Sequence, residues 1–262
     1  MKIAVVTGAS SGMGREFVRQ LSQYVQVDEI WAIARRAEAL SALAGETCVK
    51  VRPVALDLCQ GSSFETYEAL LKQENPDVKL LVNAAGFGRF GDFDRISLAD
   101  EERMIELNCK ALVRMTRLTL PYMHTGSHIL QLDSLSAFQP VPYITAYGAT
   151  KAFVLSYSRA MGAELKPKGI RMMAMNPAWV RTEFFDHAMP TNDRVRYFNY
   201  VYDPDTVVAT GLRHLYKTRK DVSVHGLPVK LQVLAVKLVP HSMVMNIWLN
   251  QQKTPKNNQG LD

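Results

Sequence analysis

Thr7-Gly8-Ala9-Ser10-Ser11-Gly12-Met13-Gly14 is the stretch whose reading decides how this chain folds. It follows an apolar run, Ile3-Ala4-Val5-Val6, that reads as a strand, and it opens a helical pattern near 12–24. Three glycines and a threonine in this spacing arise by chance in about one chain in two hundred at average residue usage. A strand before and a helix after are the context in which such a turn holds a nucleotide. Glycine lets the backbone turn tightly and come close to a pyrophosphate, whose charge the helix N-terminus then attracts. Gly8, Ser10, Ser11, Gly12, Met13 and Gly14 are therefore candidate cofactor-binding residues. The competing reading, a glycine-rich turn without a ligand, has that context against it.

Outward from the turn, apolar runs predict strands near 2–7, 29–34, 49–56, 79–83, 128–133, 169–175 and 222–226. Helical patterns fall between them, near 12–24, 37–44, 62–73, 100–123, 145–166 and 203–218. Alternation of this kind implies an α/β fold. The expectation is one Rossmann-type domain over residues 1–226, a doubly wound parallel sheet of about seven strands with helices on both faces. With 262 residues and 47% hydrophobic content the chain can bury one large core. No run reaches the roughly eighteen uninterrupted apolar residues of a membrane span. Met1-Lys2-Ile3 enters a strand at once, so no signal peptide is expected. Cys48, Cys59 and Cys109 are odd in number and lack metal-ligand spacing, which suits reduced thiols in a cytoplasm and no metal site. The net charge of +6 is dispersed, so an anionic cofactor explains it more simply than nucleic acid does.

Further candidates stand at strand ends. The second strand, Ile30-Trp31-Ala32-Ile33-Ala34, ends in Arg35-Arg36, where a fold that takes NAD places an acid. Two guanidinium groups there suit a 2′-phosphate, so NADP(H) is preferred over NAD(H); arginines capping a solvated loop are the bland alternative. Asp57-Leu58 ends the third strand, and Asp57 either accepts a hydrogen bond from an exocyclic amine or caps a helix near Ser62. Asn83-Ala84-Ala85-Gly86 ends the fourth, with small residues that allow close approach of a ligand. Asn108 stands amid Ile105, Leu107, Ala111 and Leu112, either buried with partners or on the helix's exposed side. Ser134 ends the fifth strand, while Tyr147 and Lys151, four residues apart, share one helix face. These three can converge on the crevice where open α/β sheets bind ligands. Tyr-x-x-x-Lys alone is a weak signal; its order and spacing with the rest are not.

Assembled, these residues resemble the short-chain dehydrogenase/reductase family over about residues 2 to 226. The family's cofactor motif corresponds to Thr7 through Gly14, and its structural Asn-Asn-Ala-Gly to Asn83-Ala84-Ala85-Gly86. Its catalytic tetrad falls on Asn108, Ser134, Tyr147 and Lys151. Two departures stand out: Ala84 replaces the second asparagine, and Ala178 in Asn176-Pro177-Ala178-Trp179-Val180-Arg181-Thr182 replaces a usual glycine. The resemblance implies a hydride transfer between nicotinamide and a carbonyl or secondary alcohol, with Pro177, Ala178, Val180 and Thr182 beside the cofactor. Tyr147 is then the general acid/base, Ser134 polarises the carbonyl, Lys151 also binds the nicotinamide ribose, and Asn108 holds a water that links Lys151 to solvent. Lowering a tyrosine from about 10 towards neutrality requires roughly 4 kcal/mol from the Lys151 cation.

In this family the segment after Thr182 usually covers the substrate. Phe184, Phe185, Tyr197, Phe198, Tyr200 and Tyr202 make the cover expected at 183–202 aromatic and favour a small apolar carbonyl or alcohol; ordinary packing of a small helical subdomain is the equal alternative. A catalytically silent NADP-binding redox sensor or regulator is the alternative, and loss of the Tyr/Lys pair would mark it. The family is usually a homodimer or homotetramer built on the two helices here near 100–123 and 145–166. Residues 227–262 extend past the family core as an apolar helical tail that Pro240 should break into two pieces. Lysines beside Leu, Val and Trp also fit a helix at a membrane surface. Packing on the same domain or a neighbouring subunit is favoured over membrane association.

Overall fold

The computed structural model describes residues 1–189 and 194–253. At its centre is β1 (Lys2–Thr7), whose last five residues are buried. It pairs in parallel with β2 (Glu29–Ala34) and with β4 (Asp77–Asn83), placing Val6 opposite Ala32 on one side and Val82 on the other. With β3 (Lys50–Ala55), β5 (His128–Leu132), β6 (Arg171–Met175) and β9 (Val222–Ser223) these make one seven-stranded sheet. The order is β3-β2-β1-β4-β5-β6-β9, parallel throughout. Winding reverses between β1 and β4, the switch point at which such sheets open a ligand crevice.

Near-continuous apolar strands need cover on both faces. On one, Phe17 and Val18 of α1 (Gly12–Gln20) and Val208, Leu212 and Leu215 of α8 (Pro204–Lys217) pack on Ala4, Val6 and Leu130. On the other, Phe64 and Tyr67 of α3 (Gly61–Glu74), Met115 of α5 (Leu112–Thr119) and Leu165 of α6 (Thr145–Leu165) pack on Val5, Leu81 and Ile129. Each large side chain so buried contributes about 1.5–3 kcal/mol.

The helix predicted near 100–123 is broken in two. Ser97 Oγ accepts from the Asp100 amide at 3.1 Å and starts α4 (Leu98–Ile105). A wider π-helical turn, Glu106–Ala111, then carries Asn108 before α5 begins. The last predicted strand is also shorter than 222–226, because Gly226 has φ 82° and turns the chain into the tail. The segment expected to cover the substrate holds α7 (Phe184–Ala188), and β7 (Trp179–Val180) pairs with β8 (Val201–Tyr202) in a separate ladder. Residues 190–193 of that segment lie outside the described residues.

The tail forms α9 (Leu227–Leu238) and α10 (His241–Gln251), separated at Pro240. Pro240 stands at the start of α10, where its missing amide is harmless. Val229 and Val233 of α9 pack against Leu135, Phe138, Ala178 and Tyr202. Residues 254–262, the end of the predicted extension, lie outside the described residues. Among the described residues no helix is long and apolar enough to cross a membrane.

Candidate active site

The carboxyl ends of β1, β4, β5 and β6 open into one cleft of about 590 Å³. It is lined by Gly8, Ser10, Ser11, Gly12, Met13, Gly14, Arg35, Arg36, Asp57, Leu58, Ala84, Ala85, Gly86, Ser134, Tyr147, Lys151, Pro177, Ala178, Val180 and Thr182. Of the candidate catalytic and cofactor-binding residues, only Asn83 and Asn108 are absent from its lining.

At the cofactor end, Gly8 has φ 67°, and a Cβ there would lie 2.8 Å from the backbone of Ala84 and Ala85. A Cβ on Gly14 would lie 2.1 Å from the Gly8 carbonyl. Thr7 Oγ1 ties the two loops together by accepting from the amides of Ala84 and Ala85 at 3.0 and 3.1 Å. Ser11 precedes α1 without a side-chain bond to its amides, and the first turn carries no acidic residue. The positive end of α1 therefore faces the cleft uncompensated.

The other cofactor candidates divide by what they touch. Arg36 Nη2 reaches Ser10 O at 3.3 Å and Glu183 Oε2 at 3.4 Å, and both charged side chains stay more than half exposed. Asp57 Oδ1 accepts from the Cys59 amide at 3.0 Å, closing a turn; α3 begins only at Gly61, so Asp57 does not cap it near Ser62. Asn83 is buried and donates to Thr116 Oγ1 at 3.1 Å, which ties β4 to α5 behind the cleft.

Asn108 is buried, not on the exposed side of its helix. Its Oδ1 accepts from the Phe87 amide at 3.0 Å, and its Nδ2 donates to Phe87 O at 2.9 Å and Thr150 Oγ1 at 3.1 Å. The side-chain amide is thus committed to the loop after β4 and to α6. The wide turn that carries it is of the kind that recurs at functional sites.

At the centre, Lys151 Nζ donates to the Leu132 carbonyl at 2.8 Å and lies 5.5 Å from the centre of the Tyr147 ring. Ser134 lines the cleft beside the Tyr147 phenol, and its Oγ lies 3.0 Å from Ser136 Oγ. Burial raises the Tyr147 phenol above its ordinary value, the neighbouring Ser134 hydroxyl only partly opposes this, and nearby Asp133 adds to it. The lowering expected from Lys151 is not found. The phenol is walled in by Phe90 and Phe184, with ring centroids 5.6 and 5.5 Å away, and water is the better solvent for phenolate. Burial likewise lowers Lys151, against the pull of Asp133.

Several residues of the site escaped the sequence reading. Asp133 is 2% exposed and lines the cleft; Oδ2 accepts from Asn176 Nδ2, while Oδ1 is buried without a partner. Its signal was an acid at the end of an apolar strand. Gly88 gives the Tyr147 ring room, since a Cβ there would sit 3.1 Å from Tyr147 Cδ2. Trp248 of α10 lines the cleft, donates from Nε1 to Pro142 O at 2.9 Å and joins Phe90, Val141, Ile144 and Tyr147 in one buried cluster. Its position reveals nothing in sequence, because the contact crosses 106 residues.

A family model described as short chain dehydrogenase matches residues 2–193. The chain is 29% identical over 263 residues to the very-long-chain 3-oxoacyl-CoA reductase of Anas platyrhynchos, covering 95% of this chain and 80% of that one. It is 33% identical over 186 residues to the NADP-dependent 3-hydroxy acid dehydrogenase of Salmonella typhi, covering 70% and 74%. Among solved structures, a short-chain dehydrogenase from Sphingobium yanoikuyae in complex with NADPH matches with a TM-score of 0.78 at 28% identity, covering 93% of this chain and 95% of that one. The glycine turn, the parallel sheet and these likenesses agree: the chain belongs to the short-chain dehydrogenase family of oxidoreductases.

Proposed function

We propose that the protein moves a hydride between NADP(H) and a carbonyl or secondary alcohol, with Tyr147 as general acid/base. One observation carries this reading: Tyr147, Lys151 and Ser134 line the same cleft as the glycine turn, with Lys151 Nζ 5.5 Å from the centre of the Tyr147 ring. The cleft suits a dinucleotide. Gly8 and Gly14 hold the backbone where any side chain would collide, and the amides at the start of α1 meet a pyrophosphate. Arg35 and Arg36 are exposed cations at the end of β2, and the long contacts of Arg36 exchange readily for a 2′-phosphate. Two relatives support the choice, the Sphingobium protein by its bound NADPH and the Salmonella enzyme by its NADP dependence. Asp57 and Leu58 fall on the adenine side; Pro177, Ala178, Val180 and Thr182 fall on the nicotinamide side.

NADPH, when bound, supplies the hydride. The chain's own residues position the substrate and move the proton. Ser134 holds the carbonyl oxygen as negative charge builds on it, and Tyr147 gives that oxygen its proton. A phenol held protonated by burial suits this direction, because the forming alkoxide is a far stronger base than phenolate. Lys151, fixed by the Leu132 carbonyl, binds the nicotinamide ribose and biases the Tyr147 charge. Asn108 holds the wide turn beside Lys151, where a water passes protons to solvent.

The substrate end is walled by Phe90, Trp179, Phe184, Phe185 and Trp248, which favours an apolar, ring-containing ketone or alcohol. Exposed Ile105 and Phe153 on α4 and α6 fit a homodimer or homotetramer through those helices. Three free cysteines fit a cytoplasmic setting. The test is direct: purified protein, NADPH and a panel of ketones graded in bulk. Consumption of NADPH with apolar ring-containing ketones supports the reading. Tight NADPH binding without consumption across the panel would point to a silent sensor.

A further inference from the structure

Half of the large exposed apolar side chains among the described residues, six of twelve, lie on the two tail helices. On α9 they are Leu227, Leu231, Leu234 and Leu238, from 56 to 78% exposed. Their spacing of four, three and four puts them on one face, opposite the Val229, Val233 and Val236 that pack inward. On α10, Met243 and Ile247, four residues apart and so on one face, are each more than half exposed. The inward side of α9 packs on the domain; the outward side does not.

The charges around this stripe are of one sign. From residue 227 to 253 the charged side chains are Lys230, Lys237 and Lys253, with no Asp or Glu. Lys230 and Lys237 both flank the leucine face on the same side, with Lys237 Nζ 5.7 Å from the centre of the Phe138 ring. A two-fold contact between copies through this face sets lysines against lysines with no acid on the patch to answer them. A bilayer with anionic headgroups answers both features, taking the leucines into its acyl boundary while the lysine ammoniums stay at the phosphates.

We propose that the outward face of α9 and α10 is a docking surface for an anionic membrane, on which the protein lies without spanning. Gln232 and Trp248 of the same helices line the cleft, so a bilayer held there is separated from the cleft wall by one helix, about 10 Å. An apolar substrate dissolved in that bilayer then has a short path to the cleft.

The test uses the full chain sedimented with vesicles of phosphatidylcholine, with and without phosphatidylglycerol. Binding is expected only with phosphatidylglycerol, and should fall about tenfold at high salt as the lysines are screened. Leu231→Glu/Leu234→Glu should lose at least about tenfold of the vesicle-bound fraction with an unchanged melting temperature. Lys230→Glu/Lys237→Glu keeps the apolar face and should lose the preference for phosphatidylglycerol. Wild-type protein that stays in the supernatant with anionic vesicles overturns the proposal. So does a wild-type solution mass that halves in Leu231→Glu/Leu234→Glu, which would assign the face to a second copy. Neither readout depends on turnover, so each stands apart from the oxidoreductase reading.

Discussion

A proton donor is commonly pictured as a group made more acidic by its surroundings, but at Tyr147 desolvation dominates and the phenol is raised. The competing attraction of Lys151 is spent elsewhere, on the Leu132 carbonyl and on Asp133. Asp133 sits in the same desolvated spot, and burial raises its carboxyl too. The site therefore holds a phenol, an ammonium and a carboxyl whose charge states are mutually dependent. Arg36 poses a simpler electrostatic question, because it is exposed and its partners are long. Arg36→Ala should weaken NADPH by at least about tenfold, the loss of a charge-assisted bond of about 1.5 kcal/mol, and leave NADH within about twofold. Titration of both cofactors checks this; equal losses would show that Arg36 does not read a 2′-phosphate.

At the scale of elements, what the sequence made legible was everything periodic. Strands with unbroken apolar runs, the glycine turn and the Tyr/Lys helix were all placed to within a few residues, because each is a local pattern. The wide turn at Glu106–Ala111 was not, since nothing in Glu-Leu-Asn-Cys-Lys-Ala favours it over an ordinary helix. It exists because Asn108 is pulled onto Phe87 and Thr150, two partners far away in sequence. The pairing of α10 with the cleft was hidden for the same reason. Gln252 Oε1 accepts from the amides of Arg196 and Tyr197 at 2.8 and 3.1 Å, which fastens the tail to the segment before β8. Trp248 is then a wall of the substrate end rather than a filler of a distant core. Trp248→Ala should raise KM for ring-containing ketones about tenfold through lost aromatic contact, with NADPH affinity within about twofold. Trp248→Phe should recover most of it. An unchanged KM in the alanine variant, with the fold intact, would remove Trp248 from the substrate site.

For the whole molecule, two buried histidines on the β5–β6–β9 side of the sheet weigh against acid stability. His214 Nδ1 pairs with Ser223 Oγ at 2.8 Å, tying α8 to β9, and His128 on β5 stacks with Tyr216 at 4.4 Å. Burial pushes both imidazoles down to about 4, whereas in the unfolded chain they titrate near 6.5. A folded-state value below the unfolded one means the unfolded chain binds these protons first. The stability the two histidines confer is thus complete above about pH 6.5 and is lost as pH falls from there towards about 4. Melting temperature should decline through that window, and His128→Phe/His214→Gln should flatten the decline; a wild-type melting temperature constant over the window would contradict it. The sheet, the glycine turn and the tail all converge on one cleft, where Tyr147 is proposed to deliver a proton while NADPH is consumed. The most direct test compares wild-type protein with Tyr147→Phe, measuring NADPH affinity and ketone-dependent NADPH consumption on the same samples. Removing one hydroxyl should lower turnover by about 10²- to 10⁴-fold with NADPH affinity nearly unchanged. A Tyr147→Phe variant that keeps turnover within about twofold of wild type would contradict the account.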